Sequence, residues 1–206
     1  MKSSEQDTLC DTPLNEITWT VFDLETTGID AEHDTIVEIA AVHVMPGFRI
    51  DHKNTFNTLV NPEVDIPARS TDIHGITNEM VKNAPDFMTA YYSFADFARD
   101  TVLIAHNSAK DMAFLRVSLS EYFTSPPFPF VIDSLRLARI FYKGIRHDLE
   151  SLSNLFHFDK RVSGPQHRAL PDAKRTALLF RKLVMEIFPK ECYLLGELLQ
   201  IQSVYK

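Results

Sequence analysis

Two cysteines, Cys10 and Cys192, are all that the 206 residues contain. They lie near opposite ends, so no disulfide framework holds the chain and a reducing, cytoplasmic setting is expected. No apolar run approaches the roughly 20 residues of a bilayer span, so neither a transmembrane helix nor a membrane partner is expected. The first 15 residues lack the apolar centre of a signal peptide and read as a disordered lead-in. Internal repeats and low-complexity tracts are missing too, which excludes solenoid architectures. Basic charge is in short supply, with a formal net charge of −7, and at first sight this disfavours a polyanionic partner.

The shortage is uneven. Residues 1–133 hold 8 Lys and Arg against 21 Asp and Glu, whereas residues 134–175 hold 9 against 4. A basic segment inside an acidic chain suits a phosphate-facing surface as well as it suits scattered solvated side chains. What the sequence has in quantity is apolar mass: 45% hydrophobic residues, 15 of them phenylalanine, enough for one domain with a sizeable core.

The chain is organised around Thr20-Val21-Phe22-Asp23-Leu24-Glu25-Thr26-Thr27-Gly28. Its first half reads as a buried strand into which Asp23 and Glu25 are set two residues apart, hence on one face. Two like charges buried side by side cost several kcal/mol each unless a counter-charge lies between them. The cheapest counter-charge for oxygen ligands at that spacing is a divalent cation, Mg²⁺ or Mn²⁺, although a lone D-x-E reads better as a strand end with two solvated acids. A strand at 36–44, a turn at Pro46-Gly47 and a strand at about 48–60 complete an antiparallel meander. Glu38 interrupts an apolar run and needs a partner; a structural role is expected for it, holding the Thr26-Thr27 turn. A loop from Asn61 through His74 precedes a short helix capped by Thr77. Helix 87–99 and a strand at 101–105 follow. The next helix carries Asp111 in its first turn, where a carboxylate complements the helix dipole. A fifth strand at 128–132 and further helices lead to Gly164-Pro165-Gln166-His167-Arg168-Ala169-Leu170-Pro171-Asp172. There a turn-rich loop delivers His167, and a long helix starts near Pro171 with Asp172 in its first turn.

The order D-x-E, Asp, then H-x₄-D resembles the DEDDh (DnaQ-like) family of 3′-to-5′ exonucleases. The resemblance runs from about Thr18 to about Phe188 and includes Phe22 to Gly28, Ile73 to Ile76, Ala105 to Asp111, Asp133 to Arg139 and His167 to Ala173. It implies an α/β, ribonuclease H-like fold, with a five-stranded mixed sheet of a three-strand meander plus two parallel strands, flanked by helices. It also implies two divalent metal ions, Mg²⁺ or Mn²⁺: Asp23 bridging both, Glu25 and Asp172 completing the first site, Asp111 holding the second. By the same resemblance His167 is the general base, and Thr26, Thr27, Ile73 and His74 contact the terminal nucleotide. The implied partner is nucleic acid with a free 3′ end, single-stranded DNA in first place. RNA trimming, hydrolysis of dinucleotides or short oligonucleotides, and non-catalytic binding of ends are the competing readings.

Two departures stand out. Lys110 occupies the place where the family usually has an aromatic residue, and base stacking is worth about 1–3 kcal/mol. Its ammonium is expected to meet a substrate phosphate instead. The family includes the proofreading subunit of bacterial replicative DNA polymerase, whose long C-terminal tether has no counterpart in residues 191–206 after the domain at 16–190, so a stand-alone enzyme is expected rather than a stably tethered subunit. The leucines at 194, 195, 198 and 199 are spaced for a short helix that packs on the domain or on a polymerase or other protein partner.

Overall fold

The computed structural model describes residues 8–122, 124–187 and 193–204. At its centre lies a five-stranded mixed sheet in the order β3-β2-β1-β4-β5. β1 (Trp19–Thr26), β2 (Ile36–Met45) and β3 (Arg49–Leu59) form the antiparallel meander, with a turn at Pro46–Phe48. β4 (Val102–Ala105) and β5 (Val131–Asp133) add in parallel on the other side of β1. Parallel neighbours need crossovers. These are α1 (Ala68–His74), α2 (Asn78–Val81) and α3 (Phe87–Phe97) before β4, and α4 (Ser108–Ser120) before β5. The chain continues through α5 (Ser134–Phe141), α6 (Leu149–Leu155), the long α7 (Ala169–Ile187) and α8 (Leu195–Val204).

Pleat parity divides β1 between two cores. Phe22 and Leu24 pack with Phe94 of α3 and Phe114 and Leu115 of α4, whereas Trp19 and Val21 pack with Phe180 and Leu183 of α7. The second parity continues into Asp23 and Glu25. The Trp19 and Phe180 rings meet at 4.9 Å, while Asp172, at the start of α7, lies beside Asp23 and Glu25. β1 and α7 therefore run antiparallel, and their shared interface turns from apolar to acidic along its length.

The structure differs from the sequence reading in four places. α1 occupies part of the stretch read as loop; only Ser70 and His74 of its seven residues are buried, so no apolar stripe announced it. The fifth strand is shorter and later than 128–132, at Val131–Asp133. α7 begins at Ala169, two residues before Pro171, which is tolerated in a first turn because its missing N–H has no helical acceptor there. Nor is the whole of 1–15 a disordered lead-in. Leu14 is buried, its N–H donates to the Tyr193 carbonyl at 2.8 Å, and Leu195 N–H donates to Thr12 at 3.0 Å. Residues 1–7 lie outside the described set. Leu195 and Leu198 are fully buried in the core that holds Trp19, so α8 spends its apolar face on its own domain. No helix among the described residues is long and apolar enough to cross a membrane.

Candidate active site

Four carboxylates converge at the acidic end of the β1–α7 interface. Ligand oxygens of Asp23, Glu25 and Asp172 all lie within 4.8 Å of one another. Asp111, buried in the first turn of α4, raises the Asp23 pKa by its charge from close range. Burial, then Asp111, Glu25 and Asp172, push the Asp23 carboxyl well above the ordinary range. Burial followed by Asp172 and Glu38 lifts Glu25 to about 8, and burial lifts Asp111 to about 7 against the opposing pull of Lys110. Crowded, desolvated oxygens that resist ionising together are a fitting donor set for a hard divalent cation, whose charge removes that conflict.

The turn after β1 is pinned from two sides. Thr27 Oγ1 donates to Asp34 Oδ1 at 3.2 Å and accepts from Thr35 N–H at 2.9 Å, and Ser70 Oγ donates to the Thr27 carbonyl at 2.5 Å. A Cβ on Gly28 would lie 2.3 Å from Asp34 Oδ2, so a side chain there would displace the carboxylate that holds Thr27.

Glu38 does not hold this turn, contrary to expectation. It lies directly opposite Glu25 across the β1–β2 ladder, and directly opposed residues share a face of the sheet. That face points toward the start of α7. There Glu38 takes a two-pronged ion pair from Arg168, Nη2 at 2.7 Å and Nε at 3.1 Å, and accepts Ala169 N–H at 3.0 Å. The pair offsets the like-charge opposition of Glu25 and Glu38 and anchors the residue that follows His167.

Before His167 the anchor is Arg175, on the first turns of α7. The residue is 2% exposed, and its guanidinium donates to Asp172 Oδ1 at 2.8 Å, Asp159 Oδ1 at 3.2 Å and the carbonyls of Gly164 and Pro165 at 2.9 and 3.2 Å. Asp172 Oδ2 in turn accepts the backbone N–H of His167 at 2.8 Å.

Two cavities flank the acids. The first, about 370 Å³, is lined by Asp23, Glu25, Asp172 and His167 together with His106 and Arg146. Thr26, Thr27, Ile73, His74 and the exposed Ile29 line the second, about 320 Å³. Glu25 and Lys110 border both. Every candidate site residue named from the sequence thus lines one of the two cavities, except the buried Asp111, whose charge acts on Asp23. His74 is the last residue of α1 rather than a loop residue; it is buried, and Nδ1 accepts Ile76 N–H at 3.0 Å. Burial lowers its pKa. His106 is fixed between Ser134 Oγ and the His147 carbonyl, both at 2.9 Å from its ring nitrogens.

Arg168, Arg175, Arg146 and His106 were not singled out as site residues. Arg175 had a legible signal, the i,i+3 spacing from Asp172 on one helix. Arg168 had none, since its partner is 130 residues away.

A family model described as exonuclease matches residues 20–180. This chain belongs to that family. It is 36% identical over 183 residues to DNA polymerase III PolC-type of Bacillus subtilis (strain 168), covering 86% of this chain and 12% of the relative. It is 38% identical over 181 residues to a DNA polymerase III subunit epsilon-like protein of Rhodobacter capsulatus, covering 85% and 25%. The exonuclease chain thus spans a quarter or less of these relatives' lengths. Among solved structures it is similar to the nuclease domain of 3′hExo, a DEDDh family member bound to rAMP. There the TM-score is 0.73 at 20% identity, over 89% of this chain and 97% of that one. Exonuclease X in complex with 5′-overhanging duplex DNA gives 0.67 at 24%, over 87% and 98%. At these identities the likeness is one of fold alone.

Proposed function

We propose that this exonuclease domain hydrolyses nucleic acid from the 3′ end, releasing nucleoside 5′-monophosphates, with single-stranded DNA as its preferred substrate. The observation that carries the reading is the convergence of Asp23, Glu25 and Asp172 within 4.8 Å, at a cavity that His167 also lines. Asp23, Glu25 and Asp172 would hold one divalent cation, and Asp23 with Asp111 a second, Mg²⁺ or Mn²⁺ in each. Such ions supply charge neutralisation of the phosphate and of the departing oxygen. The protein's own part is positioning and proton transfer. Thr26, Thr27, Ile73 and His74 hold the terminal nucleotide in the second cavity. Lys110, between the cavities, meets a phosphate. His167 takes the proton of the attacking water as the new P–O bond forms and the bond to the preceding 3′ oxygen breaks; that oxygen leaves with a proton from solvent. The DNA polymerase III names of the relatives support DNA over RNA, and a polymerase assembly as partner.

Labelled single-stranded DNA, duplex DNA, RNA and a dinucleotide, incubated side by side with Mg²⁺, Mn²⁺ or chelator, test the reading. Stepwise 3′ shortening of DNA that chelator abolishes is expected. Preferential turnover of RNA or of the dinucleotide would replace the substrate assignment, and cleavage insensitive to chelator would remove the metal. For the base, His167→Ala is expected to lose about 10²–10⁴-fold in rate and to flatten the rise of activity with pH. An unchanged profile assigns the proton to another group.

A further inference from the structure

We infer that Arg175 is a positioning residue for this reaction: it joins Asp172 and the loop that carries His167 into one rigid unit, aligned before substrate arrives. The inference rests on the roles proposed above for Asp172 and His167. A guanidinium on a residue with 2% exposure is costly unless every face is paired. A helix that needed only packing at this position would be served by an apolar side chain, as it is at Leu179 and Leu183. Instead the fork is satisfied by parts of the site: one carboxylate oxygen of Asp172 and two carbonyls of the His167 loop. Its remaining bond goes to Asp159, which is itself held by Ser153 Oγ on α6 at 3.1 Å.

The loop has reason to be held. His167 sits at φ +56, a left-handed conformation that a non-glycine residue keeps only where its surroundings fix it, while Gly164 supplies the φ of +113 that glycine adopts freely. Arg175 grips the backbone at 164–165, Asp172 grips the N–H of His167, and Arg168 is tied to Glu38 immediately after. His167 is therefore the one strained residue between three fixed points. Asp172, with one oxygen on Arg175 and the other on His167 N–H, has its carboxylate plane set by the same contacts.

Arg175→Gln and Arg175→Lys, in the full chain, test this on three readouts. These are Mn²⁺ affinity by paramagnetic resonance without substrate, backbone hydrogen exchange at residues 163–168, and kcat and KM across pH on 3′-labelled single-stranded DNA. For Arg175→Gln we expect Mn²⁺ affinity lower by about 10–100-fold, faster exchange in the loop, and a fall in kcat that exceeds any change in KM. Arg175→Lys is expected to recover part of the Mn²⁺ affinity, because a hydrogen-bond donor to Asp172 Oδ1 returns, without recovering loop protection. A folded Arg175→Gln protein with wild-type Mn²⁺ affinity and wild-type loop exchange overturns the inference. Should that variant fail to fold, Gly164→Ala isolates the loop: its new Cβ would lie 2.7 Å from Pro171 Cγ while the Arg175–Asp172 pair is left in place. It is expected to lower kcat with Mn²⁺ affinity unchanged, and unchanged kcat overturns the inference. If the wild type binds Mn²⁺ yet cuts no 3′ end, the proposed function fails, while the Mn²⁺ and exchange measurements still judge Arg175.

Discussion

Asp23 lies under more opposing influences than any other side chain at the site: buried, and faced by Asp111, Glu25 and Asp172 with Lys110 as the relieving charge. Asp23→Ala is expected to abolish hydrolysis and to raise the melting temperature of the metal-free protein, because removing one of four crowded acids lowers their mutual repulsion. Turnover near wild type in Mg²⁺ would remove Asp23 from the mechanism. The same crowding fixes a pH dependence. Glu25 is raised from 4.5 to about 8 and Asp111 from 3.8 to about 7, so the folded state holds protons that the unfolded state has released. Their contribution to stability is complete below the unfolded values and is lost as pH climbs through the folded ones. In chelator the protein is therefore expected to melt higher at pH 5 than at pH 8, and Mn²⁺ to narrow the difference. Equal melting points in chelator at the two pH values would contradict the cluster's electrostatics. Lys110 is the third case at this scale. It borders both cavities and its charge reaches Asp23, Glu25 and Asp111, so it is turned toward the site although exposed. Lys110→Phe is expected to lower the slope of log affinity against log salt on single-stranded DNA by about 0.7, measured in Ca²⁺. Superimposable slopes mean that it touches no phosphate.

Between elements, the contacts that matter most join segments far apart in sequence, and these were the least legible. The meander, β4, the Thr77 and Asp111 positions and the long last helix of the site could be read from period and capping residues, because each is decided within a dozen residues. Glu38 announced that it needed a partner but not which one: the choice between the Thr26 turn and Arg168 depends on which face of β2 meets α7. α1 was invisible because its buried side chains are Ser70 and His74. A further contact of this kind closes the sheet. β5 is an edge strand, and the Gln202 side chain of α8 accepts from Asp133 N–H at 2.6 Å and donates to the Val131 carbonyl at 3.0 Å, standing in for a sixth strand. With a net worth of about 0.5–1.5 kcal/mol per hydrogen bond, Gln202→Ala is expected to cost about 1–3 kcal/mol in denaturant unfolding. Gln202→Glu should fare no better, since it loses the donor. An unaltered midpoint for both would mean that the amide is dispensable to the edge.

At the scale of the whole molecule, the sequence pattern was sufficient for the fold because the five motif segments fall in the order that the sheet requires. It was insufficient for the ends: Pro13 carries no periodic signal and the leucine spacing puts Leu194 in a helix, yet the two pair as an antiparallel bridge just before α8 begins at Leu195. That bridge has a topological consequence. Residues 12–14 and 193–195 exchange backbone hydrogen bonds, so the segment that enters the domain is tied directly to the segment that leads into α8. Two terminal segments that hold each other in this way can be linked, and the chain opened elsewhere, without stretching the interior. A permutant with the two ends linked and new termini opened at the exposed Lys53-Asn54 of β3 is expected to keep the Mn²⁺ affinity of the parent. Loss of Mn²⁺ binding in a folded permutant would show that the paired ends are held apart from the site less independently than their hydrogen bonds imply.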